Sequence, residues 1–160
     1  MPELSITAPQ DVPFIDISRE FDAPRDLVYR AYIDPELLAQ WLGPRRLEMR
    51  VDRWDPVDGG AWRYVHVEKD GTEYGFHGVF HGKPSPDGIV QTFEFEGAPG
   101  HVSLDSLRLE ARDGKTVIHT HSVYQSVEAR DAMVQAGMAD GLREGFDRLE
   151  ELLGRLVPVG

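Results

Sequence analysis

VQAGMADGLREGFDRLEELLGRL, running from Val134 to Leu156, decides how the rest of the chain must fold. Val134, Met138, Leu142, Phe146, Leu149, Leu152, Leu153 and Leu156 recur at steps of three and four, so they form one apolar stripe on a long amphipathic helix. Gly137, Gly141 and Gly145 line one edge of that stripe. Each costs a helix interior about 1 kcal/mol relative to alanine, which demands a compensating reason. A glycine at the border of a buried face lets a strand approach closely or leaves empty volume beside the core. The pattern predicts the wall of a pocket, with tight helix-on-sheet packing and no cavity as the alternative.

Working outward, Ser126 is a plausible cap with Glu128 in the first turn, which predicts a helix of roughly 28 residues and about 40 Å ending near Leu156. Between Leu47 and Gln125 no helical period is found, while turn signals recur at Asp58-Gly59-Gly60, Asp70-Gly71, Pro84-Ser85-Pro86-Asp87-Gly88, Gly97-Ala98-Pro99-Gly100 and Asp113-Gly114. Six strands follow, at approximately 47–55, 61–68, 73–83, 89–96, 101–112 and 115–125, joined as an antiparallel meander. Ile15, Ile17 and Phe21 alternate with polar residues in an earlier strand, where Arg19 interrupts the apolar side and, if buried, needs a carboxylate. Pro24 and Asp34-Pro35 open two short helices, the second ending at Gly43-Pro44. Residues 1–12 lack periodicity and read as a flexible lead-in, leaving residues 13–160 as a single domain. The fold class expected is α+β: a seven-stranded curved antiparallel sheet wrapped around the long C-terminal helix, with two short helices closing an open end.

Of 160 residues, 41% are hydrophobic and 28% charged, enough for one globular domain; a chain of this size buries about 70% of its unfolded surface. There is no cysteine, which excludes disulfides, thiolate metal sites and thiol catalysis. The start Met1-Pro2-Glu3-Leu4 shows no basic segment before an apolar run, and no stretch nears a membrane span, so a cytoplasmic protein without membrane insertion is expected. The net charge of −11 repels phosphate backbones and anionic lipid surfaces, so nucleic acid is not an expected partner. Arg45, Arg46, Arg50 and Arg53 cluster in sequence, but strand alternation splits them between two surfaces.

Alternation also proposes what faces the helix. Trp62, Tyr64 and His66 share one strand face, Tyr74, Phe76 and Phe80 another, and Phe93 and Phe95 a third. Leu107 with Leu109, and Ile118 with Thr120, continue the set. With Trp41, Met138, Gly141, Leu142 and Phe146 they would enclose an apolar, aromatic-rich chamber in which Tyr64, His66 and Thr120 are the polar handles. An ordinary filled core is the alternative. His119 and His121 point one way on their strand but fall opposite Ile118 and Thr120, hence on the outer face, and two imidazoles make no metal site. His77 and His81 read as surface residues too. Glu94 and Glu96 alternate with Phe93 and Phe95, which puts them outside and not in a converging catalytic pair. No nucleophile elbow, phosphate-cradling loop or dinucleotide fingerprint is present, so no catalytic residue, metal or cofactor is expected.

The run Arg19-Glu20-Phe21-Asp22-Ala23-Pro24 and the later Asp34-Pro35-Glu36-Leu37-Leu38-Ala39-Gln40-Trp41-Leu42-Gly43-Pro44 resemble the opening of the START-like or Bet v-like superfamily, also called SRPBCC, closest to its AHSA-type branch. Asp58-Gly59-Gly60-Ala61-Trp62-Arg63-Tyr64 looks like that branch's Gly-Gly hairpin entry, and the helix with Gly141, Leu142, Phe146 and Leu149 like its closing element. The resemblance spans about residues 13 to 156. It implies a helix-grip fold and a habit of holding small hydrophobic molecules inside the grip. The superfamily includes lipid carriers, polyketide cyclases, hormone receptors and cochaperones that stimulate a heat-shock ATPase, and no motif selects among them.

Three functions therefore compete. The first is a module that binds a small hydrophobic molecule, oriented by Tyr64, His66 or Thr120. The second is a cyclase-, aromatase- or hydratase-like enzyme in which His66 or Tyr64 moves protons. The third is a chaperone- or protein-interaction module, or a homodimer, using an exposed sheet edge or helix face.

Overall fold

Apolar residues at every second position build the strands, and the glycine-rich turns between them set their order. The computed structural model describes residues 4–156; the first three residues of the expected lead-in and the last four of the chain lie outside that range. The described residues form β1 Ser5–Thr7, β2 Phe14–Phe21, α1 Arg25–Ile33, α2 Pro35–Leu38, β3 Glu48–Trp54, β4 Ala61–Val67, β5 Glu73–Ser85, β6 Gly88–Phe95, β7 Val102–Arg112, β8 Lys115–Val123, α3 Val127–Gln135 and α4 Met138–Leu156. The strands make one antiparallel sheet in the order β1-β2-β8-β7-β6-β5-β4-β3. β3 to β8 are the expected meander, and β2 pairs with β8 from Phe14 opposite Val123 to Phe21 opposite Thr116. The architecture is an α+β helix grip.

Two expectations are corrected. The sheet has eight strands and not seven, because Ser5, Ile6 and Thr7, inside the stretch read as a lead-in, pair with Ser18, Ile17 and Asp16. A strand this short has too few residues to show a period. The single long helix is two. Gly137 sits at φ +85°, a left-handed conformation that glycine adopts without penalty, and it separates α3 from α4. At 19 residues α4 is roughly 28 Å long, shorter than the 40 Å expected.

The elements at the open end are fixed by short-range chemistry. Asp34 accepts from the Glu36 backbone N–H at 3.0 Å and caps α2, with Pro35 in its first turn. The Trp41 indole N–H donates to the Ala31 carbonyl at 2.9 Å, locking the segment after α2 onto α1. Arg148 of α4 then grips that segment, donating to the carbonyls of Gln40 at 2.9 Å, Gly43 at 2.9 Å and Pro44 at 3.3 Å.

On β2, Ile15, Ile17, Arg19 and Phe21 all face inwards. The buried Arg19 does find carboxylates: Glu150 lies at 3.3 Å and Asp147 at 3.6 Å, and its guanidinium lies 4.4 Å from the centre of the Phe21 ring. Beside it, Ile15, Phe21, Val28, Trp41, Leu109 and Ile118 pack against Phe146, Leu149, Leu152 and Leu153 of α4. A second cluster, Trp62, Tyr64, Phe80 and Ile89, forms on the β4–β6 part of the sheet. Space remains between the N-terminal half of α4 and that second cluster.

Candidate functional site

The space is a hollow of about 470 Å³ bounded by α4, the segment after α2 and the concave face of the sheet. Its walls are mostly aromatic and aliphatic. Cross-strand register explains why these side chains converge: Tyr64 pairs with Phe76, Phe80 with Gln91, and Leu107 with both Ile89 and Thr120, and paired residues of an antiparallel sheet face the same way. Across β6, β7 and β8 one row of the floor is polar, since Gln91 is opposite Asp105 and Asp105 is opposite Ser122. Ser103 and Tyr124, two residues before Asp105 and two after Ser122 along the chain, also border the hollow.

The glycine edge has three different causes. Gly137 breaks the helix and lies away from the hollow. Gly141 borders the hollow, and a Cβ built there meets nothing within 4 Å. Gly145 also borders it, but there a Cβ would stand 3.4 Å from the Gly43 backbone nitrogen and 3.5 Å from the Trp41 carbonyl, so this glycine serves close approach of helix and loop.

His66 lies under that same loop. Gly43 has φ +91°, and a Cβ on it would fall 2.6 Å from the His66 ring. The imidazole stands edge-on to Tyr64 and Phe76 at centroid distances of 5.3 and 5.5 Å, and its buried Nδ1 has no hydrogen-bond partner. Burial, with the nearby Arg148 charge, pushes its pKa down to about 4, so the ring is neutral at physiological pH. Burial also raises the phenols of Tyr64 and Tyr124, with the Asp105 carboxylate adding to both shifts. Desolvation likewise raises Asp105 itself, only partly offset by the nearby Ser122 and Ser103 hydroxyls.

Residues 22–154 match the family model described as activator of Hsp90 ATPase homolog 1-like protein. The chain belongs to that family. No curated protein matches it. Among solved structures, this AHSA-type domain is similar to a Rhodobacter sphaeroides protein at 26% identity and a TM-score of 0.88, covering 96% of this chain and 99% of the other. A solution structure from Arthrobacter aurescens matches at 25% identity and a TM-score of 0.86, with 94% and 91% covered. A Mycobacterium smegmatis crystal structure, at 23% identity, 0.84, and 94% and 97%, shows the same fold. The domain is START-like.

Of the residues expected to line a chamber, Trp41, Tyr64, His66, Phe76, Phe80, Phe93, Leu107, Thr120, Met138, Gly141, Leu142 and Phe146 border the hollow of this AHSA-type domain. Three do not. Trp62 lies flat against Tyr64 at 5.1 Å and over the side-chain-free Gly78 across the strand pair, which removes it from the opening. Phe95 ends β6, packs on Phe76 at 5.1 Å and borders a separate groove with Tyr74 and Glu96. Ile118 is sealed in the packed core beneath α4. Sequence reasoning missed Asp105, Ser103, Gln91 and Ser122. Their signal was available: stepping back by two from Leu109 and Leu107 reaches Asp105 and Ser103, and stepping forward from Ile118 and Thr120 reaches Ser122.

The outward residues behave as solvated groups. His119 meets Glu110 at 2.9 Å and His121 meets Asp16 at 2.6 Å. Glu96 chelates Arg63 and accepts from His77, which holds its pKa down to about 2. The arginine cluster does not divide by alternation: Arg45 and Arg46 precede β3 and meet Glu151 and Glu68, while a bulge between Val51 and Arg53 sets Arg50 and Arg53 opposite Val65 and Arg63, on one face, where Arg50 meets Asp52 and Glu73. No helix among the described residues is long and apolar enough to cross a membrane.

Proposed function

We propose that this domain binds one compact, largely apolar small molecule in the hollow between α4 and the sheet. The observation that carries the reading is the volume of about 470 Å³, walled by Trp41, Phe76, Phe80, Phe93 and Phe146 and relieved by a few polar groups; ligand pockets of roughly 300–1,000 Å³ have this make-up. His66 serves as a hydrogen-bonding group for the ligand. Binding is favoured over catalysis because a base with a pKa near 4 is poorly matched to proton transfer at neutral pH.

Gly141→Leu tests the reading, since Gly141 borders the hollow and a Cβ there meets nothing within 4 Å. Wild-type protein is expected to bind the neutral dye Nile red stoichiometrically, with enhanced and saturable fluorescence. The variant is expected to lose that binding with an unchanged circular dichroism spectrum. Full dye binding by a folded Gly141→Leu protein overturns the assignment of the hollow.

A further inference from the structure

Asp105 sits in the floor of this apolar hollow without a cation. Ser103 Oγ donates to its carboxylate at 3.1 Å, and Ser122 stands opposite Asp105 on the neighbouring strand. Among the described residues no ion pair involves it. The cations near the hollow are occupied elsewhere: Arg19 with Asp147 and Glu150, and Arg148 with the backbone carbonyls of Gln40, Gly43 and Pro44. His66 is neutral. One hydroxyl donor leaves lone pairs of the carboxylate unused, and a carboxylate taken out of water is stabilised by a partner of opposite charge. The protein supplies none on the hollow side.

We propose that Asp105, flanked by Ser103 and Ser122, is the docking point for the protonated amine of an otherwise apolar ligand, which makes lipophilic amines the ligand class and excludes fatty acids and other carboxylates. The inference rests on the reading of the hollow as a binding site. Three features favour a cation over a neutral donor or an anion. An ammonium adds attraction between opposite charges to its hydrogen bond with a carboxylate, which a neutral donor lacks. The net charge of −11 draws cations towards the protein and repels anions. A bound ammonium also reverses the effect of desolvation, which holds the Asp105 carboxyl above its ordinary range. The aromatic walls suit the apolar body, and Phe80, Phe93 and Tyr64 present ring faces and edges within the same chamber.

Calorimetric titration with naphthylethylamine, naphthylethanol and naphthylacetate, which share one ring system, separates the charge states at neutral pH. The amine is expected to bind at least about tenfold tighter than the alcohol, and the carboxylate weakest of the three. Asp105→Asn is expected to erase the amine's advantage over the alcohol, with a circular dichroism spectrum unchanged from wild type as the check that the variant is folded. Equal binding of amine and alcohol by wild-type protein, or an amine preference that survives Asp105→Asn, overturns the proposal; if the variant fails to fold, the wild-type ratio decides. Binding of Nile red without any of the three probes overturns the amine assignment alone. Failure of Nile red and all three probes overturns the hollow as a site as well.

Discussion

The two ends of α4 meet one sheet on different terms. Near its C-terminus Leu149, Leu152 and Leu153 are no more than 2% exposed and interlock with Ile15, Phe21 and Ile118. Near its N-terminus Gly141 faces open space and Leu142 only borders the hollow. One end fills its gaps with branched carbons, and the other leaves them unfilled. The difference teaches that a single amphipathic stripe can be divided along its length, with packing at one end holding in place a helix that encloses a void at the other.

That division can be broken most directly by truncation. Leu153→Ala is expected to cost about 3 kcal/mol or more, since it removes a fully buried side chain from a packed region. Leu142→Ala, at the wall of an existing void, is expected to cost under about 1 kcal/mol. Urea denaturation with an unchanged m-value measures both, and equal losses would erase the distinction between the ends.

A pH titration sharpens it next. His66 belongs to the hollow end, and its folded pKa of about 4 lies below the unfolded value of 6.5. Between those values the unfolded chain binds a proton that the folded one refuses, so stability falls as pH drops from about 6.5 through 4. The loss should reach on the order of 2 kcal/mol, and His66→Gln should flatten that part of the profile. Glu96 responds in a lower window, because a carboxyl held to about 2 by Arg63 and His77 is lost only as pH falls from 4.5 towards 2. Denaturation midpoints across this range, with and without His66→Gln, distinguish the two; a slope between 6.5 and 4 that persists in the variant assigns it to another group.

The smallest effects concern the glycines, and there the signs oppose. Gly141→Ala adds a good helix former where nothing lies within 4 Å, so it should stabilise by about 0.5–1 kcal/mol. Gly137→Ala places a Cβ on a residue at φ +85° and should destabilise by about 1 kcal/mol. Shifts of the same sign in thermal melts would show that the two glycines do the same work.

Much of this was legible in the order of residues. Period-two alternation and paired turn residues placed β3 to β8 within about two residues of their observed ends, because a strand with one buried face writes that face into its sequence. The three-residue β1 is held by backbone pairing and had no such pattern to show. Gly137 was legible as a residue that demands a reason, but helical spacing on both sides hid the reason, a reversal in φ that depends on backbone and not on side-chain pattern. At the site, aromatic residues announced the apolar walls. The polar row escaped notice because Ser103 and Asp105 look like surface residues until the phase of Leu107 and Leu109 is carried through them. Ile118 and Thr120 show the converse limit: they share a strand face, yet which of them meets empty space depends on where the helix above them has glycine or leucine.

Arg130, buried in α3, reaches back to the carbonyl oxygens of Pro9 at 2.6 Å and Phe14 at 3.2 Å. The opening residues are thus a mooring line for the helix that carries Met133, which hangs over the hollow. A gene shortened to begin at residue 13, an obvious economy for expression, would cut one of those two anchorages and strip the edge strand together. Such a clone is expected to keep its melting curve, sustained by the leucine-filled end, while the helix that brings Met133 to the hollow is held by one anchorage in place of two.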